Sequence, residues 1–200
     1  MFLSTFTRGG IDIPSAIVTM WQALGIIWLI GALFRRPVAG SLRQSPASVA
    51  FQTCLAALGF ALMFTDWFHF GWLAARFVSD NLWVQYTGFA LTLTGCLFAI
   101  WARVVLGGNW SARPSLQQDH TLVEEGPYAL ARHPIYSGFV CAFLGTILVI
   151  GEVRALLGFT VVLSYLILKL TQEEQLMLRA FPRDYPSYRQ RVKALIPGVL

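Results

Sequence analysis

The sequence predicts an all-α protein, an integral membrane bundle of about five helices, and two observations carry that reading. Hydrophobic residues make up 56% of the 200 and charged residues only 12%, where soluble domains ordinarily carry about 25%. The charges are also clustered, leaving uncharged stretches such as 16–34 and most of 82–101. Crossing the hydrocarbon takes about 20 mostly apolar residues. A water-soluble fold of this length could not hide so much apolar surface.

The runs and their punctuation set out five spans, at about 15–34, 49–64, 82–105, 135–150 and 155–170. Arg35, Arg36 and Pro37 stop the first. Gly151, Glu152, Val153 and Arg154 leave only a tight connection between the fourth and fifth, so these two read as a helical hairpin. At the N-terminus Arg8 and Asp12 precede a full-length span, which is expected to stay, because the apolar core of a cleavable signal peptide is shorter. Cys54, Cys96 and Cys141 each lie inside an apolar run, without a second cysteine or a histidine at metal-ligand spacing. No repeat or low-complexity segment is present.

The net charge of +5 reads as a topology signal rather than as a footprint for nucleic acid. With the N-terminus outside, twelve of the fifteen Lys and Arg residues fall on the cytoplasmic side. They are Arg35, Arg36 and Arg43, then Arg103, Arg113 and Arg132, and in the tail Lys169, Arg179, Arg183, Arg189, Arg191 and Lys193. Only Arg8, Arg76 and Arg154 fall outside. Four- or six-span layouts would move the tail or an equally basic loop to the wrong face. Residues 107–134 and 172–200 then share the cytoplasmic side and hold six of the ten acidic residues, with His120 and His133. The opposite loops hold little beyond Trp67, Phe68, Phe70 and Trp72, an aromatic belt in which His69 is expected to sit at headgroup level.

Two segments on the cytoplasmic side could carry chemistry. In 126–136, GPYALARHPIY, Pro134 stands where the fourth span begins, and its missing N–H would be unpaired there anyway. Arg132 and His133 therefore stand at a helix mouth whose free N–H groups and dipole favour a negative group. The second segment, 169–174 or KLTQEE, ends the fifth span. Eighteen residues separate Pro134 from Glu152, and eighteen more lead to Leu170. At about 1.5 Å per residue each arm is roughly 27 Å long, so Glu173 and Glu174 should lie level with His133 and Arg132. Histidine with two carboxylates could suggest a metal, but the hairpin offers no second histidine, and none is expected.

From about Arg103 to Pro197 the chain resembles the isoprenylcysteine carboxyl methyltransferase family, within the wider group that includes phospholipid methyltransferases. The resemblance rests on five blocks in order: Leu106-Gly107-Gly108-Asn109-Trp110-Ser111, His120-Thr121-Leu122-Val123, Gly126-Pro127-Tyr128, Arg132-His133-Pro134-Ile135-Tyr136, and Glu173-Glu174 followed by Phe181, Tyr185, Tyr188, Val192 and Pro197. GPY or RHP alone would say little; the ordered set is specific. Residues 1–102 match only as apolar spans, which divides the chain into N-terminal membrane helices (1–102) and a methyltransferase region (103–200).

The resemblance implies S-adenosyl-L-methionine as cofactor. Carried over, His120 to Val123, including Leu122, would meet the adenosine end largely through backbone. Tyr128 and the block His133, Pro134, Ile135 and Tyr136 would contact the cofactor, and Glu173 would hold a polar group of its methionine part. A methionine carboxylate suits the helix mouth beside Arg132 and His133, and its amino group suits Glu173. Where the prenylcysteine enzymes place an arginine four residues before the first glutamate, this chain has Lys169, a point charge without the bidentate fork. Lys169 could equally snorkel to the interface. Arg103, at the end of the third span, could anchor that end or face an anionic substrate. Lys169 and Arg103 are thus the acceptor-side, catalytic candidates.

A sulfonium methyl is already activated, so transfer asks mainly for alignment, and no nucleophilic serine or cysteine is needed. The acceptor is expected to be membrane-soluble, an isoprenylcysteine carboxylate, lipid amine or thiol arriving from the bilayer. Two rivals stand beside this reading. A sterol-reductase-like enzyme would want a further basic cluster for a nicotinamide cofactor and more spans. A non-catalytic scaffold would have no reason to gather polar groups at one depth.

Overall fold

The computed structural model describes residues 12–34, 37–41, 44–111, 115–117 and 121–198. Its long helices are α1 (Ile13–Leu33), α2 (Pro46–Phe64), α3 (Leu82–Leu106), α4 (Pro134–Ile150) and α5 (Val153–Ala180), followed by a short α6 (Asp184–Arg191). α1, α2, α3 and α5 are each long and apolar enough to cross a membrane. α4 has 17 residues, a rise of about 25 Å, slightly less than the roughly 30 Å of a hydrocarbon core. It is also the most enclosed of the five, with Ala142, Phe143 and Thr146 at most 2% exposed, so its neighbours rather than lipid meet most of its length.

Local sequence starts and stops these helices. Asp12 caps α1 by accepting from the Ser15 N–H and hydroxyl at 3.4 and 2.6 Å. Ser45 accepts from the Ser48 N–H at 3.1 Å, with Pro46 in the first turn of α2. Asn81 accepts from the Val84 N–H at 3.0 Å. Pro134 opens α4 as its position predicts, and Gly151, at φ 69°, closes it in the left-handed conformation that glycine adopts without a Cβ penalty.

Close backbone approach sets which helices pair. A Cβ on Gly95 of α3 would lie 2.5 Å from the Gly138 carbonyl oxygen of α4, and one on Gly88 would lie 2.6 Å from that of Gly145. Gly59 and Gly158 perform the same service between α2 and α5. Small residues let helix backbones meet in lipid, where dispersion rather than the hydrophobic effect drives association. α4 and α5 are joined by two residues, as the hairpin reading expects. Beyond that joint α4 runs along α3 and α5 along α2 rather than along each other. Trp21 ties the two pairs together: its ring stacks on Phe143 at 4.4 Å, meets Phe60 and Phe64 edge-on, and donates to the Thr146 hydroxyl at 3.0 Å.

Three features depart from the sequence reading. α5 continues ten residues past 170, because 171–180 hold helix formers and turn Glu174 and Leu176 inward. The tail forms α6 and folds back, burying Tyr185 and Tyr188. Two short strands, β1 (Val38–Ser41) and β2 (Ser115–Gln117), pair antiparallel between the connections at the polar end.

The far end of the bundle is also more than a tight turn with an aromatic belt. Glu152 and Arg154 are 6% and 1% exposed and pair at 2.6 Å. Arg154 donates through Nη1 to the carbonyls of Leu62, Met63 and Thr65 at 3.1, 3.3 and 2.8 Å, satisfying the C-terminal end of α2. Arg76 donates to the Ile150 carbonyl at 3.1 Å and serves α4 in the same way. His69, expected at headgroup level, has Nδ1 3.0 Å from the Glu152 carboxylate.

Candidate active site

At the opposite end, the start of α4, the end of α5 and α6 meet around one buried carboxylate. The tail is stitched to the mouth of α4: the N–H groups of Arg132 and His133 donate to the Lys193 and Ala194 carbonyls at 2.8 and 2.9 Å, and the Ser137 hydroxyl donates to that of Leu195 at 2.6 Å. Glu174 Oε1 accepts from Arg132 Nε at 2.9 Å and Tyr185 Oη at 2.6 Å, and lies 2.9 Å from His133 Nε2. Arg189 Nε approaches its other oxygen at 3.3 Å. Arg132 also donates to the Arg189 and Val192 carbonyls. Glu174 is the fastener that holds α6 over the site.

Glu173 faces the other way. Its Oε1 accepts from Tyr136 Oη at 2.6 Å, and its Oε2 lies 3.6 Å from His133 Nδ1. A carboxylate has about four lone-pair directions, so these neighbours leave acceptor capacity on a side chain that is 25% exposed. The imidazole of His133 therefore stands between two carboxylates, with a nitrogen toward each. That arrangement suits the imidazolium, in which both nitrogens donate.

Burial works against the charged imidazole, but its interactions with the Glu173 and Glu174 carboxylates outweigh it, and the pKa of His133 is raised above the ordinary 6.5. A raised folded-state pKa gives stability that is complete below the unfolded value and lost as pH rises through the folded value. His133 should therefore hold its proton to higher pH than a free imidazole, and its share of the stability should fade as pH rises through its raised folded-state pKa. A histidine-selective nitrogen NMR titration giving this ring a pKa of about 6.5 or lower would remove the paired imidazolium. Burial likewise pushes the Tyr128, Tyr185 and Tyr188 phenols above the ordinary 10; they are donors here, not acids.

Beside these groups lies a cavity of about 690 Å³, within the 300–1,000 Å³ usual for small-molecule sites. Gly25, Trp28, Leu29 and Ala32 of α1 form one wall, so it draws on residues well before 103. The expected residues Leu122, Val123, Tyr128, Arg132, His133, Pro134, Ile135, Tyr136, Lys169 and Glu173 all line it. His120 lies outside the described residues. Lys169 is half-buried, with Nζ 5.7 Å from the centre of the Tyr136 ring, and so turns into the cavity rather than out to the interface.

Arg103 is placed differently from the substrate-facing alternative. It donates to the Gly31 and Gly107 carbonyls at 2.6 and 2.8 Å and lies over the Trp110 ring at 4.6 Å, clamping the ends of α1 and α3. Orphan carbonyls at two helix ends hold the guanidinium there. Trp110, which it supports, lines the cavity. The α1 wall and Tyr165 were not legible as site residues: α1 shows only an apolar run, while Tyr165 stands four residues before Lys169, a spacing that could have flagged it.

The fold and site define a membrane-spanning helical protein with an apolar cavity whose polar end is set with carboxylates and cations. Residues 83–184, just over half of the chain, match the family model for phospholipid methyltransferases, and the chain belongs to that family. It is 28% identical over 125 residues to a protein-S-isoprenylcysteine O-methyltransferase B of Arabidopsis thaliana, covering 61% of this chain and 64% of that protein. To the protein-S-isoprenylcysteine O-methyltransferase of Schizosaccharomyces pombe it is 38% identical over 81 residues, covering 40% and 34%. The chain thus spans less than two thirds of either relative. Among solved structures, a eukaryotic intramembrane Ras methyltransferase (isoprenylcysteine carboxyl methyltransferase) superposes with a TM-score of 0.54 at 24% identity, over 79% of this chain and 55% of that one. That likeness concerns the fold.

Proposed function

We propose that this protein is a membrane-embedded methyltransferase that uses S-adenosylmethionine and acts on a membrane-soluble acceptor. The observation that carries the reading is Glu173: a carboxylate with open acceptor capacity at the polar end of an apolar cavity, beside His133. An ammonium group beside a carboxylate suits that end. The 121–123 segment offers a backbone edge along the same cavity, where Asn109 donates to Thr121. When bound, S-adenosylmethionine supplies a methyl group already activated on a sulfonium.

The protein's part is to bind, orient and exclude water. Glu173 and Tyr136 hold the methionine end, His133 fixes both carboxylates, and Arg132 acts through Glu174 to keep α6 in place. Lys169 supplies positive charge to the acceptor, whose apolar part lies against Trp28 and Phe139. Such positioning can be worth roughly 7–11 kcal/mol of barrier in the best cases. Isothermal titration tests the division of labour. Glu173→Gln should weaken S-adenosylmethionine by about 1.5–3 kcal/mol, while Lys169→Met should spare it and raise the acceptor KM. Unchanged cofactor affinity in folded Glu173→Gln removes Glu173 from the site.

The polar end is assigned to the cytoplasm, with the start of α1 outside, since the basic residues gather at that end. The cofactor then arrives from the cytoplasm and the acceptor from the bilayer. Impermeant labelling of single cysteines should modify position 193 from the cytoplasmic side only; modification from the outside overturns the orientation.

A further inference from the structure

Tyr165 is the exception among the tyrosines that line the cavity. Tyr128, Tyr136, Tyr185 and Tyr188 each donate to a protein oxygen, at 3.4, 2.6, 2.6 and 2.7 Å respectively. The Tyr165 hydroxyl has no hydrogen-bond partner among the described residues, although the ring is half-buried and packs against the core. It stands in an apolar span, where an unpaired polar group is costly and water is scarce. Because Tyr165 lines the cavity, whatever fills the cavity is placed to supply a partner for that hydroxyl.

Its neighbours on α5 say where along the cavity this happens. Tyr165, Lys169 and Glu173 are spaced at i, i+4 and i+8, so they share one helix face, and all three line the cavity. Each step is about 6 Å along the axis. Glu173 is engaged by Tyr136 and His133, whereas Lys169 Nζ, over the Tyr136 ring, has no hydrogen-bond acceptor among the described residues. One wall thus carries a carboxylate nearest the aqueous end and then two donors in succession going deeper, with Trp28, Leu29 and Phe139 also lining the cavity. A molecule that uses both donors needs an oxygen-bearing head and an apolar body, and lies beyond the cofactor end.

We propose that Tyr165 binds the methyl acceptor, its phenol donating a hydrogen bond to an oxygen of the acceptor's head one helical turn deeper than Lys169. The ligand class is an amphiphile with an oxygen-bearing polar head and an apolar tail. This rests on the methyltransferase reading above. The discriminating role belongs to Tyr165 because Tyr165→Phe removes one oxygen and leaves the packing of the ring.

The test compares two probes with the same tail, S-farnesylcysteine, which carries a carboxylate, and farnesyl thiol, which carries no oxygen. Binding of each is followed by quenching of Trp28 and Trp110, which line the cavity, in the whole protein in detergent. Tyr165→Phe should weaken S-farnesylcysteine about tenfold, the scale of one hydrogen bond, and leave farnesyl thiol and S-adenosylmethionine within about twofold. Equal weakening of both farnesyl probes, or of neither, overturns the assignment of Tyr165 while leaving the cofactor reading intact. Failure of the unsubstituted protein to bind S-adenosylmethionine overturns the methyltransferase reading itself, and with it the acceptor role of Tyr165. Failure of the unsubstituted protein to bind S-farnesylcysteine also overturns the proposal.

Discussion

Glu174→Ala should destabilise the protein by about 3–5 kcal/mol, the scale for removing one partner of a buried ion pair. The carboxylate side chain is 9% exposed, and Arg132 and His133 beside it are 8% and 9% exposed. Taking it away leaves two cations and the Tyr185 hydroxyl without their shared acceptor, inside a region that water reaches poorly. The consequence is local before it is global. α6 and the strand of tail at 193–195 are held down through Glu174, Arg132 and the mouth of α4, so this lid should loosen first. Hydrogen exchange in detergent should show early loss of protection at 184–195, together with a lower midpoint in an SDS-unfolding titration. A loss below about 1 kcal/mol, with protection of α6 unchanged, would mean that the cluster is solvated and does not fasten the tail. Glu173→Gln is the contrast: it should cost much less stability and more cofactor affinity, because Glu173 is the more exposed of the pair.

Gly145→Leu should do comparable damage from the middle of the bundle. A Cβ at position 145 would overlap the Gly88 carbonyl oxygen and approach the Thr92 hydroxyl within 2.5 Å, so even alanine forces the backbones apart. Overpacking usually costs about 1–3 kcal/mol. Here backbone rather than a flexible side-chain end is in the way, and the expected loss is about 3 kcal/mol or more. Separating α3 from α4 also breaks the Thr92 and Thr146 hydrogen bonds across that face and moves the Trp21 ring that joins α1 and α2 to it. Gly25→Ala is the control. A Cβ at position 25 has nothing within 4 Å, and that variant should keep the parent's unfolding midpoint. Equal stability for Gly145→Leu and the parent would show that α3 and α4 do not depend on this close approach.

The two ends of the bundle illustrate why charge in a membrane protein is informative in kind but not in role. Arg103, Arg154 and Arg76 all turn their guanidinium groups onto carbonyls at helix ends. Lys169, which has one charged nitrogen rather than a fork, turns into the cavity instead. From sequence all four read alike, as basic residues near span ends. A helix terminus leaves four carbonyls without partners, and an arginine within reach of such an end can satisfy them with its several donors.

Much of the architecture is determined by the sequence alone. Composition and uncharged runs dictate helices in lipid, because only internally bonded backbone is tolerated there. Asp12, Ser45, Asn81 and Pro134 mark helix starts through local chemistry, and Gly151 marks a stop. Equal arm lengths around Glu152 bring His133 and Glu173 to one level, since rise per residue is a property of the helix itself. Tertiary structure decided the rest. Which helices pair depends on glycines meeting across two chains of contact, and single-sequence periodicity does not show partners. Whether Glu173 or Glu174 stays open to the cavity depends on α5 running on to Ala180 and on where α6 folds, for adjacent residues on a helix point about 100° apart. The role of α1 as a cavity wall, and of Tyr165 as a donor with no protein partner among the described residues, likewise follows from packing. Local rules set the lengths and ends of the helices, whereas the lining of the cavity brings together residues far apart in the chain, Gly25 and Trp28 of α1 with Tyr136, Lys169 and Glu173.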